Sequence, residues 1–213
     1  MTEAILPRRK TLRIAWPAWM GMGVGLIAIA VLGWLVVSKF RPYAIHGMVM
    51  QSPMPATDFM LTGHNGQPVS LSDYRGQLVL LYFGYTTCPD VCPTTLADLH
   101  QARTLLGSRA KDVQVMMITV DPERDTLPVL AEYIPHFDPT FIGLTGTPEQ
   151  IAEVATYYGI YYARQEGNSS LGYLMDHTAT VMVIDRQGYL RVVFPFGAAP
   201  QDIAADLNYL LNR

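Results

Sequence analysis

Six consecutive apolar residues, Leu78-Val79-Leu80-Leu81-Tyr82-Phe83, leave this chain few ways to fold. Side chains of a strand point alternately to opposite faces, so a run with no polar member has no face to offer water. Such a strand belongs inside a sheet covered on both sides. Val113-Gln114-Val115-Met116-Met117-Ile118-Thr119-Val120 reads as a second buried strand. Between the two, Leu96, Leu99, Ala102, Leu105 and Leu106 recur at helical spacing, and Gly107 is suited to end that helix.

The folded part is expected to start near Asp58. Residues 59–62 and 67–71 flank Gly63-His64-Asn65-Gly66, whose Asn-Gly step signals a hairpin. Beyond the second buried strand, a helix is expected from Thr126 towards His136, with Asp125 as its cap and Pro135 as its end. A short strand at 141–144 leads to a helix through Tyr158, capped by Thr147 with Pro148 first inside. Then follow β-like residues 160–164, a loop at 167–170, strands at 179–184 and 190–194 around Arg186-Gln187-Gly188, and a last helix at about 200–211. Strand-helix-strand first and an antiparallel hairpin plus helix last is the order of a thioredoxin-like α/β domain. Open α/β sheets place their sites at the carboxyl ends of the strands.

At that position, after the first central strand, stand the chain's two cysteines, in Tyr85-Thr86-Thr87-Cys88-Pro89-Asp90-Val91-Cys92-Pro93. Two thiols four positions apart can close a disulfide or, as thiolates, grip one soft metal ion. A residue before proline is steered away from helical geometry, so the loop is expected to be irregular and the helix to begin at Pro93, its positive end favouring thiolate. Zinc and copper both remain open on this donor pair. Of the five histidines, His46 falls in a linker, His64 in a turn, and His100 and His136 on helices. His177 alone immediately precedes an apolar strand, with Asp176 beside it to orient the ring.

Residues 14–37 contain no charged side chain and are long enough to cross a bilayer core of roughly 30 Å. Trp16, Trp19 and Trp34 fall towards the ends of this run, and Arg8, Arg9, Lys10 and Arg13 precede it. One transmembrane anchor is therefore expected at 14–37, with residues 1–13 in the cytoplasm, a tether at 38–57 and the domain at 58–213 outside. The run exceeds a signal-peptide core and no small-residue cleavage site follows it. A bacterial inner or plasma membrane is the simplest setting, and outside it thiols oxidise unless reduced or metallated. A net charge of −3 with no basic run beyond the membrane flank gives no reason to expect a nucleic-acid partner.

Three segments together resemble the Sco/SenC family of membrane-anchored copper proteins. They are the cysteine loop, Val120-Asp121-Pro122-Glu123-Arg124-Asp125-Thr126, and Asp176-His177-Thr178 with the strand that follows. The resemblance runs from about Asp58 to the C-terminus. It implies that Cys88, Cys92 and His177 bind one copper ion per chain, as Cu(I) and as Cu(II). It further implies that the protein takes copper from an upstream donor and helps build the dinuclear copper centre of cytochrome c oxidase subunit II. Thr87 departs from the family, many of whose members carry histidine there, but none of the three ligands is affected.

A second function is a thiol-disulfide oxidoreductase that reduces the cysteines of the oxidase subunit. Three residues between the thiols, rather than two, and no clear cis-proline loop speak against it. A peroxidase is less favoured still, because no threonine stands three before Cys88 and no distant cysteine is present to resolve it. Asp121 and Asp125 are explained by capping and turn formation, with contact to the site from the end of the second strand as the alternative, and Asp90 reads equally as a turn residue or as one that tunes the thiolate or meets a partner. His46 with Met48, Met50 and Met54 makes a soft-donor cluster near the membrane, for which adaptable packing is the plainer reading and an auxiliary copper-loading site the alternative.

Overall fold

The computed structural model describes residues 16–39, 43–169 and 172–213. The chain divides into two units at Ala44 and Ile45. In the first, helix α1 covers Trp16–Lys39, and its described apolar side chains, among them Leu26, Ile29, Leu32 and Trp34, are exposed. Side chains are described only for residues 25–35 and Val37 of this helix. Among the described residues no helix is long and apolar enough to cross a membrane. The basic flank at Arg8 to Arg13, on which the expected orientation depends, lies outside the described residues.

The second unit is an α/β domain built on an eight-stranded mixed sheet. Its centre is β4 (Leu78–Gly84), buried at every position as the apolar run requires. Parallel to β4 lies β5 (Val113–Thr119), reached through α2 (Val91–Leu106), and parallel to β5 lies β6 (Ile142–Thr145). On the other side of β4, β9 (Thr180–Ile184) and β10 (Tyr189–Pro195) pair antiparallel, and α5 (Pro200–Leu210) closes the chain against α2. The hairpin β2 (Met60–Gly63) and β3 (Pro68–Ser70) extends the β6 edge, its turn completed by Gly66 at φ 78. The thioredoxin-like order is thus present, β4-α2-β5 first and β9-β10-α5 last. Adjacent residues of β4 serve opposite faces: Tyr82 lies edge-on to His177, and Phe83 meets Tyr158 beyond α4 (Pro148–Tyr157). Thr147 caps α4 as expected, in a reciprocal pair with Gln150.

Four local features differ from the sequence expectations. Residues 48–55, inside the expected tether, form β1 (Met48–Pro55) along the outer edge of β10, with a shift of register between Val49 and Met54. An edge strand tolerates Pro53 and Pro55 because one row of its N–H groups is unpaired in any case. Its entry is fixed from afar: the fully buried Asp206 carboxylate accepts the N–H groups of His46 and Gly47, each at 2.9 Å, and faces His46 Nδ1 at 2.9 Å. Helix α2 begins at Val91 rather than Pro93, with Asp90 as N-cap. Pro93 as third helical residue sacrifices nothing there, since the first four N–H groups of a helix have no partner within it.

Helix α3 spans only Leu127–Tyr133, and a 3-10 turn Ile134–His136 takes up Pro135. Its N-cap is Thr126; Asp125 instead turns into the interior, where burial makes its three hydrogen bonds worth more than an exposed cap. Finally, residues 167–169 of the expected loop belong to a separate hairpin, β7 (Tyr162–Ser169) and β8 (Gly172–His177).

Candidate metal centre

Antiparallel pairing of β9 with β4 brings the site together. Tyr82, near the end of β4, lies opposite Val181, near the start of β9. The loop leaving β4 and the segment entering β9 are therefore neighbours, and they carry Cys88, Cys92 and His177. One donor atom from each lies within 4.8 Å of the others. His177 Nε2 stands 3.5 Å from Cys92 Sγ, and the Cys92 N–H donates to Cys88 Sγ at 3.3 Å. Gly84 makes this closeness possible: a Cβ there would stand 2.7 Å from Tyr82 Cε1 and 3.2 Å from Cys92 Sγ.

The other four histidines are elsewhere. His46 pairs with Asp206, His64 accepts from the Gly143 N–H, His100 faces Asp138, and His136 is exposed in its 3-10 turn. Met48 and Met54 lie exposed on β1, three strand spacings from β4, roughly 14 Å at about 4.8 Å each. They are not part of this cluster.

The two thiols are unlike. Both are free, Cys92 fully buried and Cys88 half-buried. Cys88 is drawn down to about 3, first by the hydrogen bond from the Cys92 thiol, against burial, and further by His177 and the N–H groups of Asp90 and Cys92. Cys92 is pushed up by that same partner and by burial. The pair thus shares one proton and keeps it on the inner sulfur. His177 Nδ1 faces the Thr178 carbonyl at 3.3 Å, which places a ring proton on Nδ1 and turns Nε2 towards the sulfurs. Tyr82 and Tyr85 set their rings edge-on to the imidazole, with centroids 6.2 and 5.8 Å away. They restrict its rotation while offering it no competing charge.

Asp121 and Asp125, read from sequence as turn and cap residues, instead brace the two halves of the site. The Asp125 carboxylate accepts from the Thr86 N–H at 3.0 Å and the Thr86 hydroxyl at 2.6 Å, and from the Thr119 hydroxyl at 2.6 Å. It ties the cysteine loop to the end of β5. The hairpin that ends in His177 is held by Tyr173, whose hydroxyl donates to Asp121 at 2.7 Å. The Tyr173 ring lies between the guanidinium groups of Arg124 and Arg164, each 3.7 Å from its centroid, and Arg124 also donates to the Tyr173 carbonyl at 2.9 Å. Asp176 faces Gln165, not the imidazole. Tyr173 and Arg164 carried no sequence signal, because their contact depends on a hairpin whose register the sequence left open.

Over the site runs a cleft of about 260 Å³, lined by Tyr85, Cys88, Pro89, Met175 and His177 among others. Two sulfurs and one imidazole form a soft donor set that fits copper, above all Cu(I), with the cleft as the side from which a fourth donor approaches.

The family model described as SCO1/SenC matches residues 50–212. A SCO2-like protein of Rickettsia felis is 39% identical over 147 residues, which make up 68% of this chain and 72% of that protein. Among solved structures, the ScoI protein of Bradyrhizobium japonicum with copper bound is 39% identical, with a TM-score of 0.68 over 74% of this chain and 100% of that one. The apo Sco1 protein of Thermus thermophilus is 40% identical, with a TM-score of 0.71 over 79% of this chain and 98% of that one.

Proposed function

The chain belongs to the SCO1/SenC family, and from that premise we propose that it is a copper-binding assembly factor for cytochrome c oxidase, holding one copper ion through Cys88, Cys92 and His177. The observation that carries this reading is the convergence of two sulfurs and one imidazole nitrogen, from segments 85 residues apart, at the mouth of one cleft. A copper-bound relative with 39% identity, matched over 74% of the chain, supports it.

Copper is cargo in this scheme, and the chain's residues explain how it is held and released. Cys88, half-buried and with its thiol drawn below the ordinary range by its neighbours, is the donor an incoming ligand meets first. Cys92, in the first turn of α2, is held rigidly, and its proton leaves as metal takes its place. His177, mounted on the β7–β8 hairpin, is the donor whose departure requires only local movement. Exchange of one donor at a time passes the ion to a recipient, for which we assign the dinuclear copper centre of the oxidase subunit II, with an upstream copper donor supplying the site.

Anchoring by residues 14–37, with the N-terminus cytoplasmic in a bacterial inner membrane, belongs to the same proposal. Reporter fusions at either end of the chain test that orientation. The central test is copper stoichiometry on the purified chain: about one ion per wild-type chain, and a sharp loss of Cu(II) affinity in His177→Ala. Unchanged Cu(II) affinity would remove His177 from the ligand set.

A second reading is favoured by the layering of the thiols, one accessible and one buried beneath it. Here Cys88 sulfur attacks a disulfide in a partner, forming a mixed disulfide and releasing one partner thiolate. Cys92 then attacks Cys88, its proton passing to His177 Nε2, and the second partner thiolate leaves. An external dithiol must restore the chain to its reduced form. Rapid reduction of an oxidised subunit II peptide with copper chelated would place this activity ahead of metal delivery.

A further inference from the structure

Along β8, Tyr173, Met175 and His177 share one face, because alternate residues of a strand do. The outer two are fixed, Tyr173 by its hydroxyl on Asp121 at 2.7 Å and His177 by its approach to Cys92 at 3.5 Å. Met175 lies between them, two strand positions or about 6.8 Å from each. Its backbone pairs with Arg164 across the hairpin, so the residue cannot slide along the strand. The Met175 side chain is half-buried. It lines the cleft shared with Cys88 and His177, and also the neighbouring depression shared with Asp121 and Tyr173.

From this placement the geometry points to Met175 as a thioether donor to Cu(I) at the Cys88, Cys92 and His177 site. The inference rests on the copper reading given above and adds to it a ligand and a selectivity. A methionine side chain is unbranched, with three rotatable bonds, so its sulfur can swing from the wall of the cleft to an ion held by the neighbouring donors. Thioether is soft and uncharged. It favours Cu(I) and contributes little to Cu(II), which is harder. Met175 therefore biases the site towards the reduced ion, the form in which copper is passed from thiolate to thiolate.

Selenomethionine labelling of the full chain tests this without any substitution. X-ray absorption at the copper edge of the Cu(I)-loaded labelled protein is expected to show one selenium neighbour at bonding distance, absent from labelled Met175→Leu. Leucine conserves volume, so packing is retained. The same variant is expected to bind Cu(I) about tenfold more weakly with Cu(II) affinity unchanged, lowering the copper reduction potential by about 59 mV, the one-electron equivalent of tenfold. If copper is bound by two sulfurs and a nitrogen with no selenium neighbour, the thioether assignment falls while the three-ligand site stands. If the wild-type chain takes up no copper, both fall together.

Discussion

Tyr173 offers the most direct measure of how firmly His177 is held. Replacing it by alanine removes one hydrogen bond to the Asp121 carboxylate and two stacked guanidinium contacts, from Arg124 and Arg164. The contact of Arg124 with the residue 173 carbonyl survives, since it is made to backbone. A hydrogen bond to a charged group contributes about 2 kcal/mol. Each cation–π contact at a partly exposed position adds about 1 kcal/mol, for a total near 4 kcal/mol. At about 1.4 kcal/mol per factor of ten, opening of the β7–β8 hairpin becomes roughly a thousandfold easier.

Hydrogen exchange reads this directly. Amides of the ladder that pairs Tyr162 with His177 and Arg164 with Met175 should exchange faster by about that factor, where local opening governs exchange. Amides of β4 and β5 should hardly change, because the hairpin is not part of the eight-stranded sheet. Tyr173→Phe keeps both stacks and should show an acceleration of only about 30-fold, the equivalent of the hydroxyl alone. In copper-loaded Tyr173→Ala, nitrogen hyperfine coupling from His177 in the Cu(II) spectrum should weaken, while sulfur ligation persists. Exchange in the hairpin within threefold of wild type would refute the reasoning. So would an equal acceleration in β4, which would signify general loss of stability instead of a released hairpin.

Asp125→Ala leaves the Thr86 N–H without its acceptor and should cost about 3 kcal/mol, measured by urea unfolding of the metal-free protein; a loss below about 0.5 kcal/mol would contradict the bracing role. Burial holds the Asp125 carboxyl above the usual carboxylate range, so its contribution is fully present below the unfolded value of about 3.9 and is lost as pH rises through the folded value. The stability of wild type relative to Asp125→Asn should accordingly fall as pH increases from about 4, and a rise over that interval would reverse the assignment. His46 is raised first by its hydrogen bond to Asp206, then by the charges of Asp206 and Asp202, against desolvation. Its stabilisation is present below about pH 6.5 and declines as pH passes through the higher folded value, so the unfolding midpoint of His46→Gln should differ most from wild type in acid and converge with it in alkali. Gly84→Ala should destabilise by about 1–3 kcal/mol through the clash with Tyr82 and Cys92; unchanged stability and unchanged copper affinity would show that the strand end can shift at no expense to the site.

The centre of the fold and the convergence of Cys88, Cys92 and His177 were legible in the sequence, the two cysteines from a local mark and the histidine from its place before a strand together with the family resemblance. Apolar Leu78 to Phe83 admits one environment, and Cys88, Cys92 and His177 follow or precede such strands closely enough for topology to do the rest. What escaped notice depended on distant partners. Residues 48–55 have no alternation of their own and become a strand because β10 and Asp206 receive them, the latter some 160 residues away. Asp125 carries a capping signature that the sequence could not distinguish from burial, since both need a short carboxylate after a turn. Helix α2 starts at Val91 against the steric rule for residues before proline, while the missing N–H of Pro93 costs nothing because the first turn makes no internal use of it.

The separation of 85 residues between Cys92 and His177 also orders events in time. At synthesis rates of about 5–20 residues per second, the two thiols emerge roughly 4–17 s before the histidine that completes their cluster. For most of that interval β4 has β5 as a partner but not β9, which has not yet been made. Neither the burial of Cys92 nor the imidazole contact exists to distinguish one sulfur from the other. The contact between the inner sulfur and the imidazole therefore forms only once β8 and β9 have been made, ahead of β10 and α5.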